Sequence, residues 1–137
     1  MPDPININPL DFEENVALGV GLPMNASTGA GLSSTYYTKD QIKANMTSLF
    51  STRIGERVMQ PLFGTKLWEY LFEPSNADLK SKKIFNEVKR AISVWIPYVT
   101  LKKIDFPVNR DEKRITVKIY YTIPNYDIED TIDLEVN

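Results

Sequence analysis

Cysteine and histidine are both missing from this chain. Without cysteine there are no disulfides and no thiolate chemistry, a composition that fits a cytosolic protein. Without histidine the usual general base and the commonest transition-metal ligand are gone. Neither sign of charge is in excess. Sixteen Lys and Arg against 18 Asp and Glu leave a net charge of -2, which is no electrostatic footprint for nucleic acid. No apolar run approaches the roughly 20 residues needed to span a bilayer. The start, MPDPININPL, lacks the basic-then-apolar order of a signal peptide. These absences point away from an enzyme and towards a part that binds other parts, with no cofactor, no nucleic acid and no membrane insertion.

What is present suits a globular fold. The 137 residues are 42% apolar and 25% charged, enough for a real core. The chain is organised around residues 52–74, TRIGERVMQPLFGTKLWEYLFEP. Gly55 and Gly64 permit backbone angles closed to other residues, and Pro61 fixes its own φ and removes a donor. Glu56 and Arg57 sit between these two corners. Leu67, Trp68, Leu71 and Phe72 then recur at helical spacing until Pro74.

Residues 1–37 read as an extended N-terminal arm and residues 38–137 as the folded domain. The arm carries Gly19, Gly21, Gly29 and Gly31, and the stretch from Gly19 to Thr35 is too small and polar to form regular structure by itself. Phe12, Val16 and Leu18 give it apolar side chains for docking on this domain or on a neighbour. Thr38 and Gln41 fit a capping box opening a helix to Phe50, with Ile42, Met46, Leu49 and Phe50 along one face. Ser75 or Asn76 caps a longer helix to about Trp95. Its stripe is Phe85, Val88, Ile92 and Trp95, beside Ile84 and Ala91, with Lys80, Lys82, Lys83, Glu87, Lys89 and Arg90 mostly opposite. Pro97 ends it.

The remainder reads as β-structure. Val99 and Leu101 keep one phase and Ile104 and Phe106 the other, which predicts a bulge near Lys102 and Lys103. Pro107 to Lys113 reads as a turn. Ile115, Val117, Ile119, Tyr121 and Ile123 alternate with polar or aromatic neighbours, and Ile132, Leu134 and Val136 alternate with Thr131, Asp133 and Glu135. The fold class is therefore α+β: an N-terminal extension, then two short-to-medium helices and one long helix packed on a three-stranded antiparallel β-meander.

Catalysis would have to come from carboxylates, lysines, tyrosines or hydroxyls. A glycosidase needs two carboxyl groups across a cleft, and Glu56, Glu69 and Glu73 are the candidates. Glu69 and Glu73 suit an exposed helix face, and Glu56 suits support of the turn. No phosphate loop, metal-ligand cluster or nucleophile elbow is present. The last strand is acidic instead: Asp127, Glu129, Asp130, Asp133 and Glu135. At a sheet edge it would accept a basic strand from another chain, and the same acids would equally protect that edge from aggregation.

Residues 52–74 resemble the signature of the small baseplate wedge proteins of contractile phage tails, a family found also as a baseplate subunit of type VI secretion systems. The family's Thr-Arg-x-Gly-Glu-Arg turn is matched by Thr52, Arg53, Gly55, Glu56 and Arg57. Its Pro-x-Phe-Gly corner is matched by Pro61, Phe63 and Gly64, and its Leu-Phe-Glu helix end by Leu71, Phe72 and Glu73. The order of long helix, proline and β-meander matches as well, so the resemblance covers about residues 38–136. One feature departs. Where the family commonly has Glu-Pro-Arg after the long helix, this chain has Ile96-Pro97-Tyr98.

The resemblance implies a structural, non-enzymatic wedge component of a virion tail baseplate, assembled in the host cytoplasm, one copy per wedge and six per baseplate. Its partners would be other wedge proteins and the tail sheath protein. Arg53, Gly55, Glu56, Arg57, Pro61, Phe63 and Gly64 would hold the corner; Trp95, Pro97 and Tyr98 would mark the wedge-docking end. Thr131, Asp133 and Glu135 would lie in the strand that meets the sheath, so that the C-terminal sheet initiates sheath assembly. Some members carry a lysozyme label, which makes a muramidase-like cell-wall hydrolase the alternative.

Overall fold

A computed structural model describes residues 8–13, 15–22, 33–74, 76–105, 108–109, 114–124 and 128–136, the side chains of 108–109, 114–115, 128 and 135–136 excepted. The chain divides into two compact units, Met1–Ser48 and Leu49–Asn137.

In the first unit a short 3-10 turn, Pro9–Phe12, is held by Asn8 and Asp11. The Asn8 side chain accepts from Leu10 N, and Asp11 Oδ2 accepts from Asn8 N. The stretch from Gly19 to Thr35, expected to carry no regular structure, contains a two-residue antiparallel ladder: β1 (Gly19–Val20) pairs with β2 (Ser34–Thr35). Helix α1 (Thr38–Ser51) follows, its last three residues belonging to the second unit. The expected Thr38–Gln41 capping box does not form. Asp11 Oδ1 accepts from both Thr38 N at 2.9 Å and Thr38 Oγ1 at 2.8 Å. An ionised carboxylate is a stronger acceptor than an amide and suits the positive end of a helix, so the distant aspartate wins. Gln41 is engaged elsewhere, accepting from Thr35 Oγ1 and donating to Asn45. Ile42, Met46, Leu49 and Phe50 are buried, as the helical spacing requires, and Ala44 is buried as well.

The second unit holds α2 (Leu67–Phe72), α3 (Ala77–Trp95) and one antiparallel sheet. Its strands are β3 (Thr100–Asp105), β4 (Val108–Asn109), β5 (Arg114–Ile123) and β6 (Ile128–Val136). Asp105 faces Lys118 and Val108 faces Ile115, so β4 continues β3 along the same edge of β5 after a short interruption. Two of the residues expected in the turn, Val108 and Asn109, are thus in the ladder. β6 pairs along the other edge of β5, from Ile123↔Ile128 to Ile115↔Val136. The order is that of the expected three-stranded meander. The predicted phase slip is real: the register shifts between Leu101 and Lys103.

Period-two burial then sorts the sheet. Val117, Ile119, Tyr121 and Ile123 of β5 are buried with Ile132 and Leu134 of β6, while Thr116, Lys118, Tyr120 and Thr122 are only partly covered. Helix α3 contributes Ile84, Val88, Ala91 and Ile92 to the core, and α2 contributes Leu67 and Leu71. Two expectations for the helices fail. Phe72 is 62% exposed, because a six-residue helix has room to bury only one side. Glu87, assigned to the charged face of α3, is 8% exposed and lies on the buried one.

Candidate functional site: the glycine corner and the end of the long helix

The corner between α1 and α2 is closed by backbone bonds. Thr65 N donates to Thr52 O, Gly55 N to Pro61 O and Phe63 N to Gln60 O, while an isolated parallel bridge joins Arg53 to Thr65. Both glycines lie in the left-handed region, Gly55 at φ 90° and Gly64 at φ 119°. A Cβ on Gly64 would stand 2.6 Å from Thr52 O, against backbone that cannot move aside. Only glycine fits there.

Glu56 supports the turn as the sequence suggested: its Oε2 accepts from Arg53 N at 2.8 Å. The Arg57 guanidinium lies 3.8 Å over the Phe63 ring, and that ring meets Trp95 edge-to-face at 5.1 Å. The corner is thereby brought onto the end of α3 through an arginine–phenylalanine–tryptophan stack. Beyond Trp95 the chain turns tightly, with Val99 N donating to Ile96 O across Pro97 and Tyr98. Pro97 and Tyr98 are exposed. Three apolar side chains between the two corners point into solvent: Val58 is 93% exposed, Met59 92% and Leu62 74%.

A second anchor, missed by sequence reasoning, is Glu87. One carboxylate oxygen accepts from Lys66 N at 3.0 Å, at the start of α2, and Arg90 grips both oxygens at 2.8 and 3.1 Å. The Arg90 hydrogen bonds hold the Glu87 carboxyl below its ordinary value against the opposing effect of burial, and Lys66 N–H adds to them. Arg90 is raised in return, chiefly by the same hydrogen bond. At the other end of α2, Lys80 donates to Leu71 O and Lys83 pairs with Glu73 at 3.0 Å. Trp68 Nε1 donates to Phe50 O at 3.0 Å. The spacing held the signal for Glu87, which lies three residues after Ile84 and four before Ala91.

Thr131, Asp133 and Glu135 lie away in sequence, on β6, facing Tyr120, Lys118 and Thr116. Among the described residues no further strand pairs with the outer edge of β6. Asp133 is exposed and Thr131 partly covered. The same residues include no group of acidic side chains that could hold a metal ion, and no helix long and apolar enough to cross a membrane.

A hydrogen-bonded glycine corner with exposed apolar side chains, and a small antiparallel sheet whose β6 edge is unpaired among the described residues, define the class as an α+β domain. The family model for baseplate wedge protein gp25 matches residues 37–126, and the chain belongs to that family. It is a structural component of a tail baseplate. Among solved structures it is similar to a Geobacter sulfurreducens protein described provisionally as a tail lysozyme. The two share 25% identity with a TM-score of 0.62, over 72% of this chain and 88% of that one. It shares its fold with a chain of the anti-feeding prophage baseplate, at 24% identity and a TM-score of 0.62 over 77% of this chain and 83% of that one. No curated protein matches.

Proposed function

We propose that this protein is a non-enzymatic baseplate wedge component that docks on other wedge proteins and initiates the sheath by accepting sheath strands on its C-terminal sheet. Residues 38–137 act as the wedge domain, and residues 1–37 as its N-terminal arm. One copy per wedge, six per baseplate, sits in the tail baseplate after assembly in the host cytoplasm. Arg53, Gly55, Glu56, Arg57, Pro61, Phe63 and Gly64 keep the corner in shape. Trp95, Pro97 and Tyr98 form the wedge-docking end, where an aromatic contact replaces the family's two charges.

The observation that carries the sheath reading is β6. Its nine residues keep one register along β5, which presents a regular outer edge to an incoming strand. The test mixes purified protein with the sheath subunit of the same tail. Binding is expected, with loss on Asp133→Lys plus Glu135→Lys and on deletion of residues 126–137. Deletion alone is ambiguous because β6 carries the buried Ile132 and Leu134. Unchanged binding by the charge-reversed chain overturns the reading.

The likeness to a protein described as a tail lysozyme favours one second reading, a muramidase-like hydrolase. The carboxylates count against it. A glycosidase needs one carboxyl held protonated, whereas Glu87 is held ionised by Arg90, Glu73 pairs with Lys83 and Glu56 supports its own turn. Clearing of cell-wall suspensions that is lost in Glu56→Gln or Glu69→Gln would reverse the choice.

A further inference from the structure

On the opposite edge of the sheet from β6, a groove runs between α3 and β3. One part, of about 500 Å³, is lined by Ser81, Lys82, Phe85 and Asn86 from the helix and Lys102, Lys103 and Ile104 from the strand. A second part, of about 350 Å³, shares Phe85 and continues past Lys89, Ile92 and Ser93 to Leu101. Phe85, Leu101 and Ile104 are only partly covered, so the floor is apolar and accessible. The rim carries four lysines and the lining no acid. Lys102 and Lys103 hold Glu129 and Asp105, while Lys82 and Lys89 make no ion pair among the described residues.

A bulge and edge lysines are what any free strand edge uses against aggregation. An accessible apolar floor is not part of that defence, because it would invite the contacts the lysines discourage. The bulge at Leu101–Lys103 also interrupts the ladder, so an occupant there must be read by its side chains more than by its backbone. The geometry points to a second docking surface, one that takes an extended acidic segment of another chain, its carboxylates on Lys82 and Lys89 and its apolar side chains on Phe85, Leu101 and Ile104. Charge complementarity across such a surface sets partner choice and association rate. The lysines that would meet the segment, Lys82 and Lys89, stand on α3, apart from the strand used in the sheath reading, while Lys102 of the rim pairs with Glu129 of β6.

The probe is a short fluorescein-labelled peptide in which glutamate alternates with leucine, titrated into the full chain and followed by anisotropy. Two control peptides replace all glutamates by lysine or all leucines by serine. The glutamate–leucine peptide is expected to bind, with roughly tenfold weaker binding to Lys82→Glu plus Lys89→Glu and at high salt. Both controls are expected to bind weakly or not at all. Amide shifts in an NMR titration should concentrate at residues 81–93 and 101–104. No binding, equal binding of the serine control, or unchanged affinity in the double variant overturns the proposal. The two lysines are exposed and outside the core, so the variant tests binding and not folding.

Discussion

Gly64 and Gly55 both have a positive φ, yet they make different demands on their surroundings. At Gly64 a methyl group would collide with the Thr52 carbonyl, whereas at Gly55 nothing lies within 4 Å of it. Gly64→Ala should therefore cost about 3 kcal/mol, from strain and clash together. Gly55→Ala should cost only about 1 kcal/mol of backbone strain. Urea unfolding of the two variants measures the difference. Glu87 gives a pH signature. Its carboxyl titrates below the ordinary value of 4.5 when folded, so its stabilisation is complete above that value and is lost as pH falls through the lower, folded one. Glu87→Gln should lose about 2 kcal/mol at neutral pH. The gap between wild type and variant should close below pH 4.5, as unfolding midpoints across pH would record.

Among the elements, β5 bears the most, since it pairs along both edges and buries every second side chain from Val117 to Ile123. Replacing Ile119 by alanine should cost about 3 kcal/mol, while Tyr120→Ala on the other face should cost less than about 1 kcal/mol. Chemical denaturation separates the two. Its alternation was legible because a strand with one buried face writes a period of two into the sequence. The bulge in β3 was legible for the same reason, as a slip in that period. Helix α2 was legible only in outline. With six residues it is too short to hold itself, and the bonds that fix it come from Glu87, Lys80 and Phe50, all outside the helix.

For the whole molecule, the exposed loop between the two corners offers a direct reporter of assembly. Met59 is 92% exposed and Met46 fully buried. Peroxide should oxidise Met59 in the isolated chain and spare Met46, as peptide mass spectrometry would show. In a purified wedge complex, protection of Met59 would place the loop in an interface with the neighbouring Trp95–Tyr98 end. Continued oxidation would leave the loop outside it.

The sequence by itself determined the class of elements, their order and the character of the corner. Periodicity, glycine and proline are local signals, and each reports the conformation of its own few residues. Distant partners were left to the tertiary structure. Asp11 displaced the expected capping box at Thr38, Glu87 turned inward to meet Lys66, and Phe63 found Trp95. The lysines of α3 and β3 became one rim only when helix and strand were laid side by side. Such pairings depend on which groups the fold brings within hydrogen-bonding or contact distance, and no local pattern in the chain records that distance.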